Sequence, residues 1–178
     1  GGLEYGPGVY HGAPAASTLQ LTGTVVLNGG PDDIFVFQSS STLITASGSV
    51  VALMGGARAC NVFWQVGSSA TLGTSSLFAG TIIARTSVTA TTDAVVGSGA
   101  DEGARLLALD GSVTLDSNVI GAPSACATAT GGLTAGAPGT PISAPTLATA
   151  TALANASFAN AAAVRAANAP AVVAAPAP

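Results

Sequence analysis

Five short windows of the chain alternate hydroxyl and small or apolar positions in the same phase. The hydroxyls are Thr22/Thr24, Ser40/Thr42, Ser69/Thr71, Ser87/Thr89 and Ser112/Thr114; between and after them stand Gly23/Val25, Ser41/Leu43, Ala70/Leu72, Val88/Ala90 and Val113/Leu115. Side chains in a strand change face at every residue, so the hydroxyls point one way and the small or apolar residues the other. Ser and Thr are 37 of 178 residues, so ten hydroxyls in ten slots stand well above background. Stacked strands would turn these windows into a two-column Ser/Thr lattice on one flat face.

The spacing predicts how the strands stack. Thr24 to Thr42 and Thr71 to Thr89 are each 18 residues apart, and the remaining intervals of 29 and 25 read as 18 plus an insertion. Periods of this size mark solenoids, in which one coil cannot bury its apolar side alone. Residues 69–86 divide into three strand-plus-corner hexads, SATLGT, SSLFAG and TIIART. The predicted fold class is therefore all-β, a three-faced parallel β-solenoid.

Two further faces support it. One carries Ile34–Gln38, Val62–Val66, Thr81–Arg85 and Arg105–Leu109, near-continuous apolar runs of the kind expected where both sides of a parallel strand are covered. Its aromatics Phe35, Phe37, Phe63 and Trp64, with Phe78 of the next face, are expected inside. The other face carries Val50–Leu53, Leu77–Ala79, Ala94–Val96 and Val119-Ile120, and Gly and Ser fill the corners.

Charge narrows the function. Only 7% of residues are charged and the net charge is −4, with Arg58, Arg85, Arg105 and Arg165 as the only cations. Nucleic-acid recognition needs a basic stripe, so no nucleic-acid partner is expected. No run of 18 apolar residues exists, so no membrane insertion is expected. Asp32-Asp33, Asp101-Glu102, Asp110 and Asp116 fall at turns and coil ends as solvated corner residues, and His11 has no partner at nucleophile or metal spacing. The chain reads as non-catalytic, with no metal and no cofactor.

The body, residues 1–126, is followed by a Thr/Ala/Gly/Pro linker over 127–145 and an Ala-rich segment over 146–178. Pro145 and Pro170 bracket a stretch that reads as a helix along the solenoid or a disordered tail. Cys60 and Cys126 form either one disulfide closing the body or two buried thiols; the disulfide is the preferred reading and implies an oxidising compartment.

Several blocks carry a resemblance: Pro7-Gly8-Val9-Tyr10, Leu21–Gly29, Asp33–Gln38, Ser41–Gly48 and above all ACNVFWQVGSSATLGT over 59–74. Over about residues 1–126 the chain resembles the microbial ice-binding (antifreeze) proteins, whose fold is a discontinuous right-handed β-solenoid flanked by one long helix. The resemblance implies a secreted or surface-displayed monomer whose partner is the ice crystal surface. Family members carry a coil and the long helix ahead of the PGVY segment, whereas this chain begins where that helix should end. Two readings follow: the chain is a piece of a longer protein, or the Ala-rich segment replaces the helix.

The expected ice-contacting residues are Thr24, Thr42, Thr71, Thr89 and Thr114, supported by Thr22, Ser40, Ser69, Ser87, Ser112 and Thr91. Val26, Ile44, Gly73, Thr91 and Asp116 are expected in a mixed column beside the threonines. Hydroxyl columns alone would equally fit a solvated sheet face with inter-strand hydrogen bonds. The alternative function is therefore a non-catalytic surface adhesin or carbohydrate-binding solenoid module.

Overall fold

A computed structural model describes residues 2–11, 18–97 and 103–121. Sixteen short strands visit three parallel sheets in strict rotation. Sheet A holds β1 (Leu3–Tyr5), β4 (Thr24–Asn28), β7 (Val50–Met54), β10 (Leu77–Phe78), β13 (Val95–Val96) and β16 (Val119–Ile120). Sheet B holds β2 (Gly8–His11), β5 (Phe35–Ser39), β8 (Val62–Val66), β11 (Thr81–Ala84) and β14 (Arg105–Ala108). Sheet C holds β3 (Leu19–Leu21), β6 (Leu43–Thr45), β9 (Ala70–Leu72), β12 (Val88–Ala90) and β15 (Val113–Leu115). Every pairing is parallel and joins one coil to the next, which is the predicted three-faced solenoid.

The interior follows from the alternation. Val25, Leu27 and Val51 from sheet A, Phe35, Phe37, Trp64 and Ile82 from sheet B, and Leu43, Leu72 and Val88 from sheet C meet in one core. An aromatic stack runs along it from coil to coil. Tyr10 lies on Phe37 at a ring separation of 5.1 Å, Phe37 on Trp64 at 4.2 Å, and Trp64 against Phe78 at 5.0 Å. The Trp64 indole N–H donates to the Ala79 carbonyl at 2.9 Å, so its one polar atom is satisfied inside the core.

Two expectations change here. The sheet buried on both sides is A, not B. Outside the interior, Val26, Val50, Ala52, Leu77 and Val95 form a second apolar cluster, each at most 5% exposed. Sheet B instead alternates buried Phe35, Phe37 and Ser39 with half-buried Val36 and Gln38, and Phe63 stands half-buried in the outward column opposite Val36 and Thr81. A run of apolar letters marks strand propensity; which sides are covered depends on neighbouring elements.

The corner from sheet C into sheet A repeats one backbone device. Gly23, Gly48, Ser75, Asp93 and Ser117 take positive φ, between 54° and 65°, in successive coils. Glycine enters this region freely, whereas Ser and Asp do so at a steric cost. The first of these corners is short. A single residue, Gly23, separates Thr22 from Thr24, where three residues separate Ala46 from Val50.

A hydroxyl lattice on sheet C

Sheet C buries Leu43, Thr45, Ala70, Leu72, Val88 and Ala90 and turns the alternate residues outward. Its register aligns those outward residues into columns. The middle column is Gln20, Ile44, Thr71, Thr89 and Thr114. Thr71 and Thr89 are partly buried, while Ile44, at 42% exposed, is a bare hydrocarbon in the same row.

The column two residues earlier is hydroxylic throughout: Thr18, Thr42, Ser69, Ser87 and Ser112. Its alignment follows from the backbone, since Leu19 N–H donates to the Thr42 carbonyl, Leu43 N–H to Ser69, Ala70 N–H to Ser87 and Val88 N–H to Ser112. The side chains touch along it. Thr42 Oγ1 donates to Thr18 Oγ1 at 2.9 Å, and Ser69 Oγ lies 3.1 Å from Ser87 Oγ. A third column, two residues after the middle one, holds Thr22, Ala46, Gly73, Thr91 and Asp116. Thr91 Oγ1 donates to the Leu72 carbonyl at 2.7 Å, which holds its rotamer against the sheet.

Nine of the eleven residues expected on this face are there: Thr22, Thr42, Ser69, Thr71, Ser87, Thr89, Thr91, Ser112 and Thr114. Two are not. Thr24 belongs to β4 in sheet A, in register with Val50, because the chain has already turned the corner at Gly23. Ser40 sits at the exposed corner after β5, in register with Gly67, whose N–H bonds the Ser39 carbonyl. Thr42 and Ile44 also move. Thr42 lies in the Ser69 column rather than opposite Thr71, and Ile44 lies in the threonine column rather than beside it.

The 18-residue interval between Thr24 and Thr42 is thus a coincidence of composition. The true coil interval there is the 24 residues from Thr18 to Thr42, a length swollen by the Gly29–Ile34 corner. That interval was the signal for Thr18, which window reading missed.

The lattice holds a single ionisable side chain, Asp116, at its end. Among the described residues no group of three His, Cys, Asp or Glu could hold a metal ion. No described helix is long and apolar enough to cross a membrane. Cys60 is buried in the short 3-10 turn (Ala59–Asn61) before β8, and Cys126 lies outside the described residues, as do the linker and the Ala-rich segment.

A parallel solenoid that sets three hydroxyl-bearing columns on one outer face defines the structural class. Residues 1–121 match the Ice-binding-like family, and the chain belongs to that family. It is 48% identical over 122 residues to an ice-binding protein of Nostoc sp. (strain HG1), covering 67% of this chain and 42% of that protein. Against an ice-binding protein of Colwellia sp. it is 38% identical, covering 69% of this chain and 45% of the relative.

Among solved structures, an ice-binding protein from an Antarctic biological consortium superposes with a TM-score of 0.61 at 42% identity, covering 67% of this chain and 51% of that one. An ice-binding protein from the Antarctic ascomycete Antarctomyces psychrotrophicus does so with a TM-score of 0.61 at 38% identity, covering 68% and 56%. The chain therefore spans about half the length of the relatives it matches.

Proposed function

We propose that this protein adsorbs to ice through the outer face of sheet C and restrains ice growth or recrystallisation, without catalysis. The observation that carries this reading is the register of three outward columns on one parallel sheet, the first wholly hydroxylic and the second carrying Thr71, Thr89 and Thr114. Neighbouring strands lie about 4.8 Å apart and alternate residues along a strand about 6.7 Å apart. Both are close to repeat distances within ice, so the face can hold surface water in an ice-like arrangement.

Threonine suits the task because its hydroxyl anchors a water while its methyl limits disorder in the hydration layer. β-Branching restricts χ1, and the Thr42–Thr18, Ser69–Ser87 and Thr91–Leu72 bonds add to that restriction. Order present before contact reduces the entropy lost on binding. Ice-contacting roles are assigned to Thr18, Thr42, Ser69, Ser87 and Ser112, to Thr71, Thr89 and Thr114, and to Thr22 and Thr91. Low charge on the face suits adsorption to a neutral crystal, and secretion or surface display would bring the protein to extracellular ice. A Cys60–Cys126 disulfide would accompany that compartment.

The test is growth of a single ice crystal in dilute protein. The wild type should facet the crystal and open a gap between melting and freezing. Thr71→Tyr or Thr89→Tyr should remove most of that gap with little change in thermal midpoint, because both side chains point outward. Round, unfaceted growth in wild-type protein would defeat the proposal, and full activity in both variants would move the site to another face.

A further inference from the structure

The middle column of sheet C changes character at β6. Thr71, Thr89 and Thr114 continue one another through β9, β12 and β15, whereas Ile44 takes the same position in β6. Ile and Thr are both branched at Cβ and share a methyl there. Ile carries a carbon where Thr carries its hydroxyl, and then one carbon more. That last carbon cannot retreat. β-Branching restricts χ1, and buried Leu43 and Thr45 on either side fix the strand with Ile44 outward. Ile44 is accordingly 42% exposed, while Thr71 and Thr89 in the same row are partly buried.

Its surroundings leave it standing alone. Two residues further along the same strands, Ala46 offers a methyl and Gly73 no side chain at all. Gln20, in register on the β3 side, is longer but unbranched, so it can fold aside. The first column marks the same boundary. Thr42 Oγ1 donates toward Thr18, and Ser69 Oγ lies against Ser87 Oγ, so the two bonded pairs fall on either side of the step from β6 to β9.

We propose that Ile44 props the β3–β6 end of the face off the crystal and so limits how much of sheet C seats on ice. The inference rests on the ice-adsorbing reading of this face and assigns the closest contact within it to β9, β12 and β15. Ice is rigid and cannot deform around one protruding methyl. A side chain one carbon higher than its row therefore tilts the molecule toward the side with three threonine rows. Strands about 4.8 Å apart are close enough for that tilt to loosen the contacts of β6 and β3. Water over the end of Ile44 also meets no hydroxyl to anchor it.

Two substitutions separate height from hydrogen bonding. Ile44→Val removes only the protruding carbon, and Ile44→Thr removes it and supplies the hydroxyl. At equal protein concentration, both should widen the gap between melting and freezing of a single ice crystal. Ile44→Thr should widen it by about a third or more, the share that a fourth strand adds to a three-strand patch, and Ile44→Val by less. Val and Thr favour strands as Ile does, and the site is exposed. Thermal midpoints should therefore stay within about 2 °C of wild type, which melts of both variants check.

A gap left unchanged or narrowed by both variants would overturn the proposal. A gain with Thr alone would overturn the propping role, because only the hydroxyl would then count. Wild-type protein that neither shapes ice nor opens a gap would defeat the ice reading and this inference with it. Wild-type activity with unaltered variants would defeat this inference alone.

Discussion

At the scale of single residues, two glycines separate two reasons for glycine. At Gly48, φ is +65° and a Cβ would meet nothing within 4 Å, so only the backbone conformation objects to a side chain. Gly48→Ala should therefore cost about 1 kcal/mol. At Gly73 a Cβ would lie 2.5 Å from the Ala46 carbonyl carbon, and the Gly73 N–H donates to the buried Thr45 Oγ1 at 2.9 Å. Gly73→Ala must push β9 from β6 in the middle of the hydroxyl face. It should cost about 2–3 kcal/mol or more and reduce ice activity, whereas Gly48→Ala should leave that activity intact. Denaturant titration beside the ice-growth assay reads both; equal costs would contradict the distinction.

At the scale of elements, β1 and β2 are held to the solenoid through aromatic rings. Tyr5 and Tyr10 meet edge-on at 4.9 Å and both contact Phe37, while Tyr10 Oη donates to the Gly6 carbonyl at 2.6 Å. Burial raises both phenol pKa values, and for Tyr10 the neighbouring Tyr5 adds to the effect. The sign follows. Below the ordinary tyrosine value of about 10 both states keep the proton, and above it the unfolded chain releases its proton first. Stability should hold as pH approaches 10 and fall as pH rises through the raised native values. Replacing both by Phe should flatten that alkaline limb in thermal melts against pH. An unchanged limb would place the alkaline transition elsewhere.

At the scale of the whole molecule, the proposed Cys60–Cys126 disulfide would close a loop of about 65 residues, worth about 4 kcal/mol in the chain-entropy account. Intact-mass measurement with and without reductant should show one bond under oxidising conditions, and reduction should lower the thermal midpoint by several degrees. Two thiols that alkylate without reduction would leave Cys60 as a buried core residue of the turn before β8.

The solenoid was legible in the alternation itself. Period-two windows such as SATL and SVTA say which residues share a side of a strand, because strand geometry allows no other arrangement, and a clean 18-residue coil such as 69–86 shows the three sides in order. Which windows lie next to one another was not legible. That depends on corner lengths, and the corners after Asn28 and Met54 carry different insertions. The interval from Thr24 to Thr42 therefore imitated a coil, and Thr18 went unseen.

Alternation alone determined that Ser69, Thr71, Ser87 and Thr89 face away from the core. Only the packed coils decided that Thr24 belongs to another sheet and that Ile44 interrupts the threonine row. Register between strands is set by backbone hydrogen bonds across coils, and no local pattern of side chains carries it.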